Sequence, residues 1–265
     1  MTFRFFLGGH DLEMQEIAAL IKGALGTSAL CDKALAWGAQ LSHYRDEIEQ
    51  AVQAGIIPVS VELADDMPAD WPVRKQLRQI DHHGARKDEP SSLRQVFELL
   101  GLPETQWTWH FQLVAANDTA HVAGMRAMGA SIDELRAVRA ADRRAQGVSH
   151  QEELDGLAGL KAAEFGLNGK VRIVRIPHDR SATVMDPLAL EPDFSSGPQD
   201  VILLGAHTLQ VFGPRNWIDR LAETYPAGWS GGGGSHGFFG VASKPGAALF
   251  NEVLRTIQNC ADVST

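Results

Sequence analysis

The chain has 265 residues, 44% hydrophobic and 22% charged, the balance of a globular protein rather than a disordered one. That length allows one large domain or two ordinary ones. A formal net charge of −9 excludes a general nucleic-acid-coating surface, which needs a basic footprint, and leaves room only for a local basic pocket. Cys31 and Cys260 are the only cysteines and lie far apart, so the reading is of no disulfide framework and a reducing cytoplasm. No apolar run is long enough to span a bilayer, and Met1 to Leu7 is too short for a signal peptide. A soluble, cytoplasmic protein with no membrane partner is the expectation.

In chain order, Thr2 to Leu7 reads as a buried strand stopped by Gly8-Gly9, and the apolar stripe Leu12, Ile17, Leu20, Ile21 predicts a helix ending near Gly23. This turn places Asp11 and Glu13 at the carboxyl edge of a sheet, where open α/β folds put their ligands. Ser28 to Cys31 is a second strand, followed by helical sequence from Lys33 to Ala54. Gly55 to Leu63 is a strand whose far end delivers Glu62. Leu77 to Ile80 is a short apolar approach to Asp81-His82-His83-Gly84. Ser91 or Ser92 N-caps a helix over Leu93 to Leu100. Helical sequence continues from Trp107 to Ala116, interrupted by the polar cluster Asn117-Asp118-Thr119-Ala120-His121. Two more helices are predicted at Ile132 to Gln146 and His150 to Glu164.

The composition then changes. Val171 to Ile176, Val201 to Leu204, Leu209 to Phe212 and Phe238 to Ser243 read as strands, with helices at Trp217 to Thr224 and Ala247 to Cys260. The simplest division is residues 1–148, a helical connector at 149–168, and a smaller α/β domain at 169–265. The fold class is α/β, a mainly parallel sheet flanked by helices followed by that smaller domain.

Asp81, His82 and His83 are three potential metal ligands at a strand end. Imidazole and carboxylate together suit Mn²⁺, Fe²⁺ or Zn²⁺ better than the all-oxygen sites of Ca²⁺. Consecutive side chains on a strand point to opposite faces, so both histidines ligate only if the strand has ended there, and Gly84 provides for a turn. An isolated His-His pair is most often a pair of surface loop residues. Here Asp11, Glu13 and Glu62 recur at neighbouring strand ends.

The ordered clusters Asp11-Leu12-Glu13, Glu62, Asp81-His82-His83 and Asp118 resemble the motifs of the DHH phosphoesterase superfamily, which includes RecJ-type exonucleases, nanoRNases, cyclic-dinucleotide phosphodiesterases and family II pyrophosphatases. The resemblance extends to Gly231 to His236, similar to the Gly-Gly-Gly-His substrate loop of DHH-associated domains with one serine inserted. Glu13 and Glu62 stand where the superfamily usually has aspartates. Its first-motif histidine has no counterpart at the usual spacing, His10 being adjacent to Asp11.

The resemblance implies two divalent cations, Mn first and Fe or Zn as alternatives, that activate water for in-line displacement at phosphorus. It implies a metal set of Asp11, Glu13, Glu62, Asp81, His82 and Asp118, with Glu62 and Asp118 bridging. Asp81 either ligates or orients a metal-bound imidazole. His83 either ligates or protonates the leaving oxygen, and Arg86 is a candidate clamp for phosphate charge. Gly232, Gly233, Gly234 and His236 would bind an anionic end group of the substrate.

Blander readings stand beside these. Gly231 to Gly234 also fits a flexible linker, although Trp229 and Phe238-Phe239 around it favour an ordered loop. His121 reads better as a helix-surface or core histidine, and Asp65 and Asp66 as solvated loop acids. Arg136, Arg139, Arg143 and Arg144 read as a solvated helix face. The functional expectation is a metal-dependent phosphoesterase acting between two domains on a small phosphorylated molecule or short nucleotide, not long duplex DNA. The alternative is a degenerate DHH-like protein that binds a nucleotide or partner without hydrolysis. Trp and Phe clusters would allow a homodimer.

Overall fold

A computed structural model describes residues 2–194, 196–232, 234–242 and 246–262. The chain divides into two compact units, Met1–Gly147 and Val148–Thr265.

The first unit is built on four parallel strands, β1 (Phe3–Leu7), β2 (Leu30–Cys31), β3 (Ile57–Val61) and β4 (Arg78–Ile80), in the order β2-β1-β3-β4. Phe5, Phe6 and Leu7 are consecutive and all buried, as expected of a parallel strand covered on both faces. Phe6 packs with Leu41, Tyr44, Ile48 and Ala51, which brings α2 (Arg45–Gln53) onto that face. The helix α1 (Leu12–Leu25) is N-capped by Asp11 and packs against α3 (Ser92–Leu99), α4 (Trp109–Ala127) and α5 (Ile132–Ala145).

Two sequence expectations change here. The helix predicted over 33–54 exists only from Arg45. Residues 33–40 instead run as a loop joined by single parallel bridges to Gly9 (through Leu35) and to Ala64 (through Gln40). Pairing with the two strand ends satisfies backbone groups that a helix would have satisfied internally. Arg139, predicted on a solvated face, is 3% exposed. The inward stripe of α5 is Leu135, Val138, Arg139, Asp142 and Ala145, so Arg139 sits on the core side.

The polar cluster 117–121 does interrupt α4. Ala120 (φ −147°) and His121 (φ 53°) break two helical runs apart.

The second unit holds a six-stranded mixed sheet, β5 (Glu164–Gly166), β6 (Val171–Arg175), β7 (Val201–Leu204), β8 (Thr208–Pro214), β9 (Trp229–Gly231) and β10 (His236–Ala242). Its order is β5-β6-β7-β8-β10-β9, with β6 and β7 parallel and the other pairs antiparallel. Strand alternation sends Ile202 to one face and Val201 and Leu203 to the other. The helices α8 (Arg215–Thr224) and α9 (Ala247–Asp262) cover the first face, and α6 (His150–Lys161) and α7 (Ala182–Leu190) the second. The segment 149–168 carries α6 and β5, and both pack within this unit. Gly156 of α6 lies so close to α7 that a Cβ there would meet the Thr183 carbonyl oxygen at 2.5 Å. The sequence reading has no α7, because Pro187 interrupts its pattern; burial of Val184, Leu188 and Leu190 holds the helix in spite of it.

Candidate metal centre

Three strand ends and one helix supply the site. Beyond β3, Glu62 takes φ 52°, a left-handed conformation that costs a side-chain-bearing residue about 1 kcal/mol or more, and is held there by its N–H donating to the Ile80 carbonyl at 2.9 Å. Gly8, just past β1, abuts this turn so closely that a Cβ would lie 2.5 Å from the Glu62 carbonyl oxygen. Beyond β4, the Asp81 carboxylate accepts the His83 N–H at 2.9 Å and lies 3.0 Å from His83 Nδ1. This turn, with Gly84 at φ 56°, ends the strand before the histidines. Their rings stand 4.2 Å apart, centroid to centroid, on the same side.

Glu62, His82, His83 and Asp118 each bring one ligand atom to within 4.8 Å of all the others. His82 Nε2 lies 3.1 Å from Glu62 Oε1, 2.5 Å from Asp118 Oδ2 and 3.8 Å from Glu13 Oε2. Glu13 is 2% exposed, and its other oxygen accepts the Leu93 N–H at 2.9 Å, which fixes the carboxylate. Glu13 Oε2, Glu62 Oε1, His82 Nε2 and Asp118 Oδ2 are all buried without a partner in hydrogen-bond geometry. Three carboxylate oxygens crowded on one buried imidazole nitrogen, none in good hydrogen-bond geometry, are an arrangement a cation would relieve. Their mixed oxygen and nitrogen chemistry suits Mn²⁺, Fe²⁺ or Zn²⁺, so the residues present fit a divalent metal.

The same crowding shifts proton affinities. Burial, and then the Asp118 and Glu62 charges, hold Glu13 well above the ordinary carboxylate range. Burial also raises Asp11 to about 8, with smaller upward contributions from Asp118, Glu62 and Asp142. Burial works against a charged His82, but Asp118 and Glu62 outweigh it and raise the imidazole to about 10. Burial likewise opposes an ionised Glu62, yet His82, the Ser92 hydroxyl and His83 bring its carboxyl below its usual value.

No protein-family model matches this sequence, and no curated protein matches it. Solved structures do. A DHH-domain protein described as a member of a family of ribosomal proteins aligns over 97% of this chain and 87% of its own, at 11% identity and a TM-score of 0.57. RecJ from Thermus thermophilus in complex with Mn²⁺ aligns over 98% of this chain and 52% of its own, at 12% identity and a TM-score of 0.50. The chain has the DHH-domain fold. This chain therefore spans about half the length of that RecJ.

Not every predicted residue of the DHH pattern reaches the cluster. Asp11 caps α1, its Oδ1 accepting the Met14 N–H at 2.8 Å. Asp81 braces the His83 turn. Arg86 donates to the Gln79 carbonyl at 3.0 Å and to Gln79 Oε1 at 2.9 Å, so its guanidinium is spent on β4. In the second unit, Gly232 (φ 92°) and Gly234 (φ 67°) shape the loop between β9 and β10; Gly233 lies outside the described residues. Ser235 Oγ lies 3.1 Å from His236 Nδ1, and His236 Nε2 is 3.6 Å from Asp200 Oδ1. Arg215 donates to the Gly232 carbonyl, and its own N–H donates to the Ser235 carbonyl at 2.8 Å.

Sequence reasoning missed the support behind the DHH cluster. Arg139 Nη1 donates to Asn117 Oδ1 at 2.9 Å and to Asp142 Oδ2 at 2.7 Å, while Asp142 Oδ1 accepts the Leu12 N–H at 3.2 Å. Arg139 and Asp142 thereby tie the segment of Asp118 to that of Asp11 and Glu13. The available signal was their position on the apolar stripe of α5 with Leu135 and Val138.

Proposed function

We propose that this protein is a divalent-metal-dependent phosphoesterase acting on a small phosphorylated molecule or a short nucleotide. The observation that carries the reading is the convergence of four buried ligand atoms, from Glu13, Glu62, His82 and Asp118, beside the carboxyl ends of a DHH-type sheet. Glu62, Asp118, Glu13 and His82 would hold the ions, with Asp11 and Asp81 completing or bracing the set. Mn²⁺ is the first choice, because RecJ of the same fold was solved with it. When bound, such ions supply a nucleophilic water at neutral pH and charge neutralisation at phosphorus.

The chain's own residues do the rest. We assign His83, 56% exposed and braced by Asp81, to giving a proton to the leaving oxygen or to ligating an ion. The fixed carboxylate of Glu13 and the left-handed turn at Glu62 hold the ligand geometry before any substrate arrives. We assign Gly232, Gly233, Gly234 and His236 of the second unit, with Arg215, to binding an anionic group. A reducing cytoplasm suits a chain with two cysteines, Cys31 and Cys260, far apart in sequence. Among the described residues, no helix is long and apolar enough to cross a membrane.

The test is a panel of phosphodiesters, pyrophosphate and phosphomonoesters with added Mn²⁺, run on the purified protein and on Asp118→Asn. Turnover of one class by the parent protein, lost with stoichiometric metal in the variant, supports the reading. Retained metal and nucleotide binding with no turnover of any class would replace it with a binding protein on the same fold.

A further inference from the structure

Trp37 is 83% exposed, the most exposed large hydrophobic side chain among the described residues. Single exposed apolar residues are ordinary on protein surfaces, so exposure alone assigns nothing. The way this one is held is different. The 33–40 loop is fastened on both sides of Trp37 to segments that lead to or from the candidate ligands. Ahead of it, the His10 N–H donates to the Leu35 carbonyl at 3.0 Å, next to Asp11. Behind it, the Ala64 N–H donates to the Ala39 carbonyl at 2.9 Å and the Leu41 N–H to the Ala64 carbonyl at 3.0 Å, two residues past Glu62. Gly9 lies against the Trp37 backbone, where a Cβ would stand 3.1 Å from Trp37 Cα. Two further residues of chain span at most about 7 Å, so the Trp37 backbone lies within about 12 Å of that of Asp11. That puts an exposed indole on a braced loop at the same edge of the sheet as the candidate ligands.

We infer that Trp37 is the stacking platform for the nucleobase of a nucleotide substrate whose phosphate lies at the Glu62-His82-Asp118 centre. This deepens the phosphoesterase reading and rests on it, by narrowing the substrate class to nucleotides. Base stacking on an aromatic side chain tolerates any base, so the inference is of a base-dependent but base-tolerant site. Loss of one stacked base corresponds to a change on the order of ten-fold in affinity.

The experiment compares a short dinucleotide with its abasic counterpart in the parent protein, Trp37→Ala and Trp37→Phe, all with Mn²⁺. The expected result is that Trp37→Ala lowers the preference for the base-bearing substrate about ten-fold, through KM rather than kcat, and that Trp37→Phe restores most of it. Binding is read separately in metal-free protein by fluorescence titration with adenosine, which carries a base and no phosphate, where Trp37→Phe removes most of the quenching. Equal preference ratios in the parent protein and Trp37→Ala would overturn the inference. So would a change from dimer to monomer in Trp37→Ala on sedimentation, which would make the indole a contact between copies of this chain. Adenosine quenching dependent on Trp37, in a protein that turns over no substrate, would sustain the inference while the catalytic reading fails.

Discussion

Arg139 and Asp142, one turn apart on α5, form a buried ion pair at 2.7 Å that also reaches two ligand-bearing segments, through Asn117 beside Asp118 and through the Leu12 N–H between Asp11 and Glu13. Removing one partner leaves a buried charge without compensation. Arg139→Ala is expected to destabilise the protein by about 3–5 kcal/mol and to weaken metal binding although it removes no ligand. Urea unfolding together with metal titration checks it. Unchanged metal affinity in a folded Arg139→Ala protein would show that the pair serves stability alone.

Glu13 lies in a site with too many negative groups when no cation is present. Glu13→Gln keeps an oxygen for the Leu93 N–H and removes a buried acid whose ionisation the folded state opposes. The metal-free variant is expected to melt a few degrees higher than the metal-free parent at pH 8, while its Mn²⁺ affinity falls at least ten-fold. Calorimetry of both proteins with and without Mn²⁺ reads the two effects, and a lower melting temperature for the metal-free variant would contradict the argument.

The metal-free protein is expected to lose stability as pH rises. Asp11 goes from an ordinary value of 3.8 to about 8 on folding, so the unfolded chain ionises first and the folded state is penalised progressively between those values. His82, raised to about 10, acts in the same direction. Its contribution is full below its ordinary value of 6.5 and is lost as pH rises through 10. Glu62 opposes both only on the acid side, since its lowered carboxyl contributes above its ordinary value of 4.5 and is lost as pH falls. Melting temperatures of chelator-treated protein should therefore fall from pH 5 to pH 9, and Mn²⁺ should raise them most at the alkaline end. A flat profile would mean that these acids are not buried as described.

Gly8 is where the backbone of β1 meets the turn of Glu62. A methyl group there would stand 2.5 Å from one carbonyl oxygen and 2.9 Å from another, neither of which can swing away. Gly8→Ala is expected to cost roughly 1–3 kcal/mol and to displace Glu62, reducing metal affinity. Gly23→Ala, on α1 with open space around it, is the matched control and should be neutral or stabilising. Equal behaviour of the two variants would refute the close approach.

Local pattern was enough to place much of the first unit. The Phe-rich run before Gly8-Gly9, the strand leading to Glu62 and the short approach to Asp81 carry their own periodicity and turn residues, and β1, β3 and β4 lie where those signals put them. The loop 33–40 and the helix α7 were not legible in this way. One is held by pairing with Gly9 and Ala64, and the other survives Pro187 through burial, and both causes lie in distant parts of the chain.

The same division runs through the site. By itself the sequence marked out the candidate ligands, because acids and histidines at strand ends are a local pattern. Only the tertiary structure decided which of them meet, bringing Glu13, Glu62, His82 and Asp118 together while Arg86 turns to Gln79 and Asp11 caps α1. Whether two side chains touch depends on how strands register and helices pack across tens of residues, and no short stretch of sequence encodes that geometry.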